Sequence, residues 1–188
     1  AALVFAPCCV TSMDGSPTIG GLLDEQLGRD FDNNDKLNGL PITTCYSKKG
    51  VPCYVAIDNS AGAHTVVGYI KIYIPYEMTP QQEAAVRAKL SPHEKKGSFG
   101  NIQMVEVAKS YRGQGIGTHL MNYAIDKGRS VPDILAMTLT VSKKNTRAIE
   151  LYKKLGFIQV MEGRFDFFFA FYYQRRTNQS ILRANSAV

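Results

Sequence analysis

The chain has 188 residues, of which 45% are hydrophobic, and its formal net charge is +6 at pH 7. A chain of this size can bury the core of one domain, and it has no apolar run long enough to cross a membrane. We therefore expect a soluble, cytoplasmic protein whose single domain covers residues 1–174 and ends in a loose polar tail over 175–188.

Hydrophobic periodicity predicts alternating strands and helices in the first part of the chain. The short apolar stretch over residues 2–10 indicates a first strand rather than the remnant of a processed leader. The elements expected after it are a helix over 17–31, a polar loop over 28–39, and two strands over 51–58 and 64–74 that form a hairpin across 59–62.

The second part of the chain continues this alternation. Residues 75–98 form an insertion between two strands and contain a helical run over Gln81–Leu90. The later elements are a strand over 101–109, a helix over 115–128, a strand over 134–141, a helix over 145–155, and two closing strands over 157–161 and 166–173. Thr138 and Thr140 alternate with apolar residues and predict one wetter face on their strand, and Gly156 is expected to end the helix before it.

The most informative stretch runs from Val105 to Met121, where a buried strand leads through a glycine-rich turn into an amphipathic helix. Gly113, Gly115 and Gly117 allow the backbone to approach a ligand closely. The helix that follows offers unpaired N–H groups and the positive end of its dipole, which suits an anion such as a pyrophosphate. Arg112 can add a forked, charged donor at the mouth of the turn.

The spacing of these glycines excludes two common nucleotide-binding motifs. A dinucleotide fingerprint needs G-x-G-x-x-G, but Thr118 stands at the third glycine position, and no acidic residue ends the next strand. A phosphate loop needs Lys and then Ser or Thr after its last glycine, whereas Gly117 is followed by Thr118 and His119.

The remaining pattern, Arg112-x-x-Gly115-x-Gly117, resembles the signature of the GNAT superfamily of acyl-CoA-dependent N-acetyltransferases. A second block over residues 139–157 is similar to a later motif of that family, with a strand, N-x-x-A-x-x-L-Y and a Leu-Gly-Phe exit. The resemblance covers roughly residues 51–174. It implies an α/β domain of the α+β type, built on a mixed, mostly antiparallel, splayed sheet that is flanked by helices.

The resemblance also implies an enzyme that transfers the acetyl group of acetyl-CoA directly to a primary amine through a ternary complex. Backbone groups at Val107 and the side chain of Asn145 would hold the pantetheine arm of this co-substrate. The residues expected to bind acetyl-CoA are Val107, Arg112, Gly113, Gln114, Gly115, Ile116, Gly117, Thr118 and Asn145.

Two residues are candidates for the chemical step. The resemblance places the family's general acid at Tyr152, and a phenol with a pKa near 10 can protonate a departing thiolate. Without the surrounding motif, Tyr152 would be interpreted as a core aromatic. Glu106, a carboxylate in an otherwise apolar strand, is the candidate general base. It does not stand where the family's better-known bases stand, and water is the alternative proton acceptor.

Other kinds of site are not indicated. Cys8, Cys9, Cys45 and Cys53 form no metal-binding pair and are expected to be reduced thiols, and no metal site is predicted. Because no cysteine stands in either motif, a covalent acyl-enzyme is disfavoured. The excess positive charge lies between residues 109 and 154, without interleaved aromatics or a nucleic-acid-binding pattern, so coenzyme A explains it better than nucleic acid.

The acceptor stays open at this point. A small-molecule amine would need a closed pocket, whereas a protein N-terminus or lysine would need an open groove. The insertion over residues 75–98 could be surface decoration or could line the acceptor side of the cleft. A CoA-binding module without catalysis is a third possibility, which the presence of Asn145 and Tyr152 makes less attractive. The sequence does not indicate the oligomeric state, and a homodimer is compatible with it.

Overall fold

The computed structural model describes residues 3–7, 53–58, 65–91 and 96–173, in which one sheet of seven strands carries three helices. The strands are β1 (Leu3–Pro7), β2 (Cys53–Asp58), β3 (Thr65–Tyr73), β4 (Ser98–Val107), β5 (Ile134–Ser142), β6 (Ile158–Glu162) and β7 (Asp166–Tyr172). The helices are α1 (Pro80–Arg87), α2 (Ile116–Ser130) and α3 (Thr146–Lys154). None of these helices combines the length and apolar composition needed to cross a membrane.

The order of the strands in the sheet is β1-β2-β3-β4-β5-β7-β6. Every neighbouring pair is antiparallel except β4 and β5, which are parallel and are connected through α2. The β4–β5 pairing begins at Ser98 opposite Ile134 and ends at Asn101 opposite Thr138, although both strands continue. This arrangement confirms the predicted mixed, mostly antiparallel sheet that splays at its middle.

The predicted elements agree with the structure in kind, and several differ in their ends. Strand β4 begins at Ser98 instead of residue 101, because the Ser98 N–H bonds to the Asp133 carbonyl (2.8 Å) and the next residues pair with β5. Gly156 ends α3 with a φ of +94°, as expected. The predicted helix over 17–31, the polar loop, the turn over 59–62 and the C-terminal tail lie outside the described residues.

One face of β5 differs from its prediction. Thr138 is fully buried, whereas Thr140 is exposed, so the expected wetter face of this strand is wrong at Thr138. Strand β5 lies between β4 and β7, so the neighbouring residues Asn101 and Ala170 flank Thr138 within the sheet. A buried hydroxyl requires a hydrogen-bond partner, and Thr138 Oγ1 donates to the Gly100 carbonyl at 2.9 Å.

Apolar side chains on the two faces of the sheet form two core clusters. On one face, Leu120 of α2 and Ile149 of α3 pack with Phe169 of β7. On the other face, Phe168 and Ala170 of β7 pack in a cluster that contains Val86 of α1. Strand β7 therefore buries successive residues in opposite clusters, which explains its unbroken apolar sequence.

Helix α1 is the main element of the 75–98 insertion. Thr79 and Gln82 form a capping box, in which the Thr79 hydroxyl accepts from the Gln82 N–H (3.3 Å) and the Gln82 side chain accepts from the Thr79 N–H (3.2 Å). The helix ends at Arg87 instead of the predicted Leu90, because the N–H groups of Lys89 and Leu90 bond three residues back and tighten the last turn.

Helix α1 belongs to the core. Val86 has no exposed surface, and Met78 and Leu90 pack against the same cluster. The Tyr172 hydroxyl donates to the Val86 carbonyl at 2.8 Å, which ties α1 to β7. The described residues of 75–98 line neither the cavity at the glycine-rich turn nor the smaller cavity between β4 and β5. Met78, Val86 and Leu90 of the insertion are therefore core residues, and a place of residues 75–98 beside the acceptor stays a prediction.

We predict that Val86→Ala lowers the free energy of unfolding by about 1.5–3 kcal/mol, because it removes two methyl groups and leaves a cavity. Urea denaturation measures this change. Gln81→Ala is the matched control, since Gln81 is exposed on the same helix and its loss should change stability by less than about 0.5 kcal/mol. Equal effects of the two substitutions would contradict a core role for α1.

Candidate active site

The glycine-rich turn connects the end of β4 to the start of α2. After Val107 the chain forms a short 3-10 turn over Lys109–Tyr111 and enters α2 through Gly113 and Gly115, whose φ angles are +85° and +82°. Gly115 is the N-cap residue, and no described side chain caps this end of the helix. A Cβ atom at Gly115 would meet no described atom within 4 Å, so the turn encloses open space in front of the first N–H groups of α2.

Two side chains of the turn form hydrogen bonds to its own backbone. Arg112 Nε donates to the Val107 carbonyl at 3.0 Å, so this guanidinium braces the turn against the end of β4. Gln114 bonds to the Ser110 carbonyl at 3.5 Å and does not line the cavity in front of the turn. The glycines of the turn present backbone to that cavity, and Arg112 also lines it.

The start of α3 faces the same space. Asn145 is the N-cap residue of α3, and its Oδ1 accepts from the Ala148 N–H at 3.2 Å. Because Oδ1 accepts this capping bond, the amide NH₂ group is the part of Asn145 that can donate to a ligand. Two helix N-termini, those of α2 and α3, therefore open toward one cavity, and the positive ends of both dipoles favour an anion there.

This cavity has a volume of about 460 Å³. The predicted site residues that line it are Glu106, Val107, Arg112, Gly113, Gly115, Ile116, Gly117, Thr118, Asn145 and Tyr152. The structure thus brings together every predicted site residue except Gln114, although the two motifs that supply them are separate in sequence.

Arg147 is a residue of this cavity that the sequence analysis did not single out. It lies in the first turn of α3, and its Nη2 would be 3.5 Å from a Cβ atom at Gly113. Its position two residues after the N-cap Asn145 is the signal that could have identified it. Among the described residues that line the cavity, Arg112 and Arg147 carry positive charges and Glu106 carries a negative charge.

Tyr152 lies on α3 between the large cavity and a smaller one. Its ring is partly buried and packs 6.0 Å from the ring of Phe157, measured between centroids. Burial raises the pKa of Tyr152 above its ordinary value of 10.0, and the Glu106 carboxylate raises this pKa further. The hydroxyl therefore keeps its proton through the neutral pH range and is available as a donor.

Glu106 stands on β4 beside Val107 and opposite Tyr69 of β3. Tyr69 is fully buried, and its hydroxyl donates to the sulfur of Met104 at 2.8 Å. Burial and the Glu106 carboxylate together raise the pKa of Tyr69 to about 12. Glu106 itself is only partly buried, and its carboxylate contributes negative charge between two tyrosines.

The smaller cavity lies between β4 and β5 where the two strands have separated, and its volume is about 180 Å³. Asn145, Val105 and Tyr152 line both cavities, so the two spaces meet at the start of α3. Each described residue that lines the smaller cavity is neutral: Ile102, Gln103, Met104, Val105, Leu139, Thr140, Val141, Ser142, Asn145 and Tyr152.

Comparison with known sequences gives a family and several relatives. The profile described as the acetyltransferase (GNAT) family matches residues 24–157. Spermidine N(1)-acetyltransferase of Escherichia coli (strain K12) is 31% identical over 77 residues, 41% of this chain and 41% of that protein. N-alpha-acetyltransferase 30 of Saccharomyces cerevisiae is 31% identical over 109 residues, 57% of this chain and 52% of that protein. The matches therefore span about half the length of these curated relatives, or less.

Solved structures have the same fold. Arabidopsis thaliana NAA60 in complex with acetyl-CoA superposes with a TM-score of 0.59 at 19% identity, and the match covers 91% of this chain and 98% of that one. The NatC complex bound to Gag peptide and CoA superposes with a TM-score of 0.54 at 22% identity, over 93% of this chain and 100% of that chain. At these identities the similarity establishes the fold alone.

Proposed function

Since the chain belongs to the acetyltransferase (GNAT) family, we propose that it is an N-acetyltransferase that transfers the acetyl group of acetyl-CoA directly to a primary amine. The observation that carries this proposal is the convergence of two helix N-termini and a glycine turn on one cavity, with Tyr152 at its inner end. Relatives named for spermidine and for protein N-termini agree in acetylating amines. A cytoplasmic location stays a prediction.

The residues of the large cavity fit coenzyme A. The open space above Gly115 and the N–H groups at the start of α2 suit a pyrophosphate, and Arg147 adds a positive charge across the turn. Backbone groups at Val107 and the Asn145 amide would hold the pantetheine arm. When bound, acetyl-CoA supplies the acetyl thioester, and the protein supplies orientation and proton transfer.

Tyr152 would act as the general acid. The leaving sulfur gains negative charge as the thioester breaks, and a neutral phenol nearby can stabilise that charge and donate its proton. Because the pKa of Tyr152 is raised above 10.0, the acid form persists at neutral pH and is lost only as the pH rises beyond that value. Glu106, across the cavity, would accept the proton of the amine directly or through a water molecule.

We propose further that the acceptor is the α-amine of a peptide with an apolar first residue. The smaller cavity is lined by neutral side chains, several of them apolar, so the additional ammonium groups of a polyamine would gain no carboxylate partner from the described lining. Phe165, in the turn between β6 and β7, is 69% exposed. The Phe165 carbonyl accepts from the Lys143 N–H at 3.0 Å, which fixes this turn beside Ser142 at the rim of the cavity.

We predict that Gly115→Asp abolishes acetyl-CoA binding, because its carboxylate would enter the space expected to hold the pyrophosphate. Gly156→Asp is the matched control. Gly156 has a similar positive φ, is exposed, and lies outside both cavities, so the same charge and backbone conformation should leave affinity unchanged. Calorimetric titration with acetyl-CoA measures both variants. Tight binding of acetyl-CoA by Gly115→Asp would contradict the assignment of this turn as the pyrophosphate site.

We predict that Tyr152→Phe lowers kcat by about 10²- to 10⁴-fold while acetyl-CoA affinity is retained, since only the proton donor is lost. The measurement is thiol release with a peptide acceptor. Tyr173→Phe serves as the control, because the Tyr173 hydroxyl donates to the Ile125 carbonyl at 2.6 Å and lines neither cavity. Unchanged turnover in Tyr152→Phe would mean that this ring only packs.

We predict that Phe165→Ala raises KM for a peptide with an apolar first residue about tenfold, the equivalent of ~1.4 kcal/mol of lost apolar contact. The KM for acetyl-CoA should not change. Ile158→Ala is the control, since Ile158 is also exposed (46%) but lies on the edge strand β6 away from the cavity lining. Faster turnover of spermidine than of the peptide, unaffected by Phe165→Ala, would favour a small-molecule acceptor instead.

A further inference from the structure

Two buried polar residues lie where β4 and β5 separate. Asn101 is 7% exposed and Thr138 is fully buried, and they are the last partners in the parallel pairing of the two strands. Polar side chains are rarely buried without a structural or functional reason. Neither residue lines either cavity, so direct contact with a substrate does not account for them.

Hydrogen bonds of these two side chains run from β4 to β5 and back from β5 to β4. Asn101 Nδ2 donates to the Thr138 hydroxyl at 3.2 Å and approaches the Thr138 carbonyl at 3.4 Å. The Thr138 hydroxyl donates in turn to the Gly100 carbonyl at 2.9 Å. We call this group, made by Gly100, Asn101 and Thr138, the fork clamp. It ties β4 to β5 with side chains at the last position where the strands pair.

The strands diverge immediately beyond the fork clamp. The pairing of β3 with β4 shifts register there: Ile72 is opposite Ile102 and Lys71 is opposite Met104, so Gln103 is an extra residue on β4. Such a bulge bends the strand that contains it. The smaller cavity begins at Ile102 on β4 and Leu139 on β5, the residues that follow the clamp. Continued pairing at the ordinary strand spacing of about 4.8 Å would close this space.

We propose that Asn101 and Thr138 are positioning residues, which fix where β4 and β5 separate and thereby hold Glu106 at a set distance from Tyr152. The inference rests on the proposed acetyltransferase function. Glu106 is carried by β4, whereas Tyr152 is carried by α3, which follows β5 along the chain. The fork clamp joins β4 to β5 at the last position where these strands pair. A shift of one strand against the other at this position therefore changes the distance between Glu106 and Tyr152. Displacements on the scale of 1 Å are enough to lower catalytic rates substantially.

The test uses Thr138→Val, which keeps the shape of the side chain but removes the hydroxyl, and Thr138→Ser, which restores it. We expect Thr138→Val to lower kcat about tenfold to a hundredfold. The loss of acetyl-CoA affinity should be smaller, because the shift also separates Val107 from Asn145 but leaves the glycine turn at the start of α2 in place. Thr138→Ser should return kcat to within about twofold of the wild type, since the hydroxyl again bridges Asn101 and Gly100. Asn101→Ala, which removes the bridge from the β4 side, provides a second variant should Thr138→Val fail to fold.

Tyr172→Phe separates positioning from general destabilisation. It also removes a hydroxyl that donates to a backbone carbonyl, that of Val86, but it does so in the opposite core cluster. We expect it to lower the melting temperature about as much as Thr138→Val while leaving kcat unchanged. Equal kcat losses in both variants, or full activity in Thr138→Val and Asn101→Ala, would overturn the proposal.

Hydrogen exchange of the intact protein tests the fork clamp without relying on acetyltransferase activity. We expect Thr138→Val to increase amide exchange at Phe99–Asn101 and Met137–Leu139 and to spare the amides of α2. A wild-type chain that acetylates no amine would refute the proposed function, and the fork clamp would then be judged by exchange alone. Unchanged exchange at those amides would refute the clamp.

Discussion

The cleft depends on the short parallel pairing of β4 and β5. Two parallel strands in the middle of a sheet ordinarily pair along their length, yet these two part after Asn101 and Thr138. The separation is stable because the buried polar groups at the fork have partners and because the bulge at Gln103 bends β4. Beyond Asn101 and Thr138 the two strands diverge and leave a wedge-shaped gap. The smaller cavity lies within this gap, and the large cavity lies at its open end, beside the glycine-rich turn and the start of α3.

The connection between β4 and β5 determines which helices begin at the open end of this gap. Because β4 and β5 are parallel, the chain needs a crossover connection between them, and here α2 provides it and starts shortly after the end of β4. Strand β5 is followed by α3, whose first turn also faces the large cavity. Two positive helix ends converge there as a consequence of topology, and Arg147 strengthens the positive field. The described residues that line the smaller cavity are neutral, and Glu106 lines the large cavity from the side of β4.

Sequence reasoning predicted those features of the candidate site that depend on local backbone conformation. Gly113 and Gly115 have positive φ angles, and Asn145 begins α3, because the residue types at these positions determine local conformation. The same reasoning could not place groups whose surroundings come from distant strands. The burial of Thr138 depends on Asn101 and Gly100 across the sheet, and periodicity alone assigned it to a wet face. Arg112 lines the large cavity, as its predicted role requires, but its bond to the Val107 carbonyl depends on the path of the turn and could not be predicted.

The residues expected to bind acetyl-CoA also form the local structure that positions them. Asn145 caps α3 through its carbonyl oxygen, so the orientation of its remaining donor group is set by the helix itself. Arg112 braces the turn against β4 and thereby helps to fix the backbone N–H groups that follow it. Such residues need no separate support, because the hydrogen bonds that stabilise the fold also hold the donors in place. Donors that the fold already holds in place reduce the entropic cost of binding, so substitutions that change the backbone conformation of the turn are expected to weaken acetyl-CoA binding.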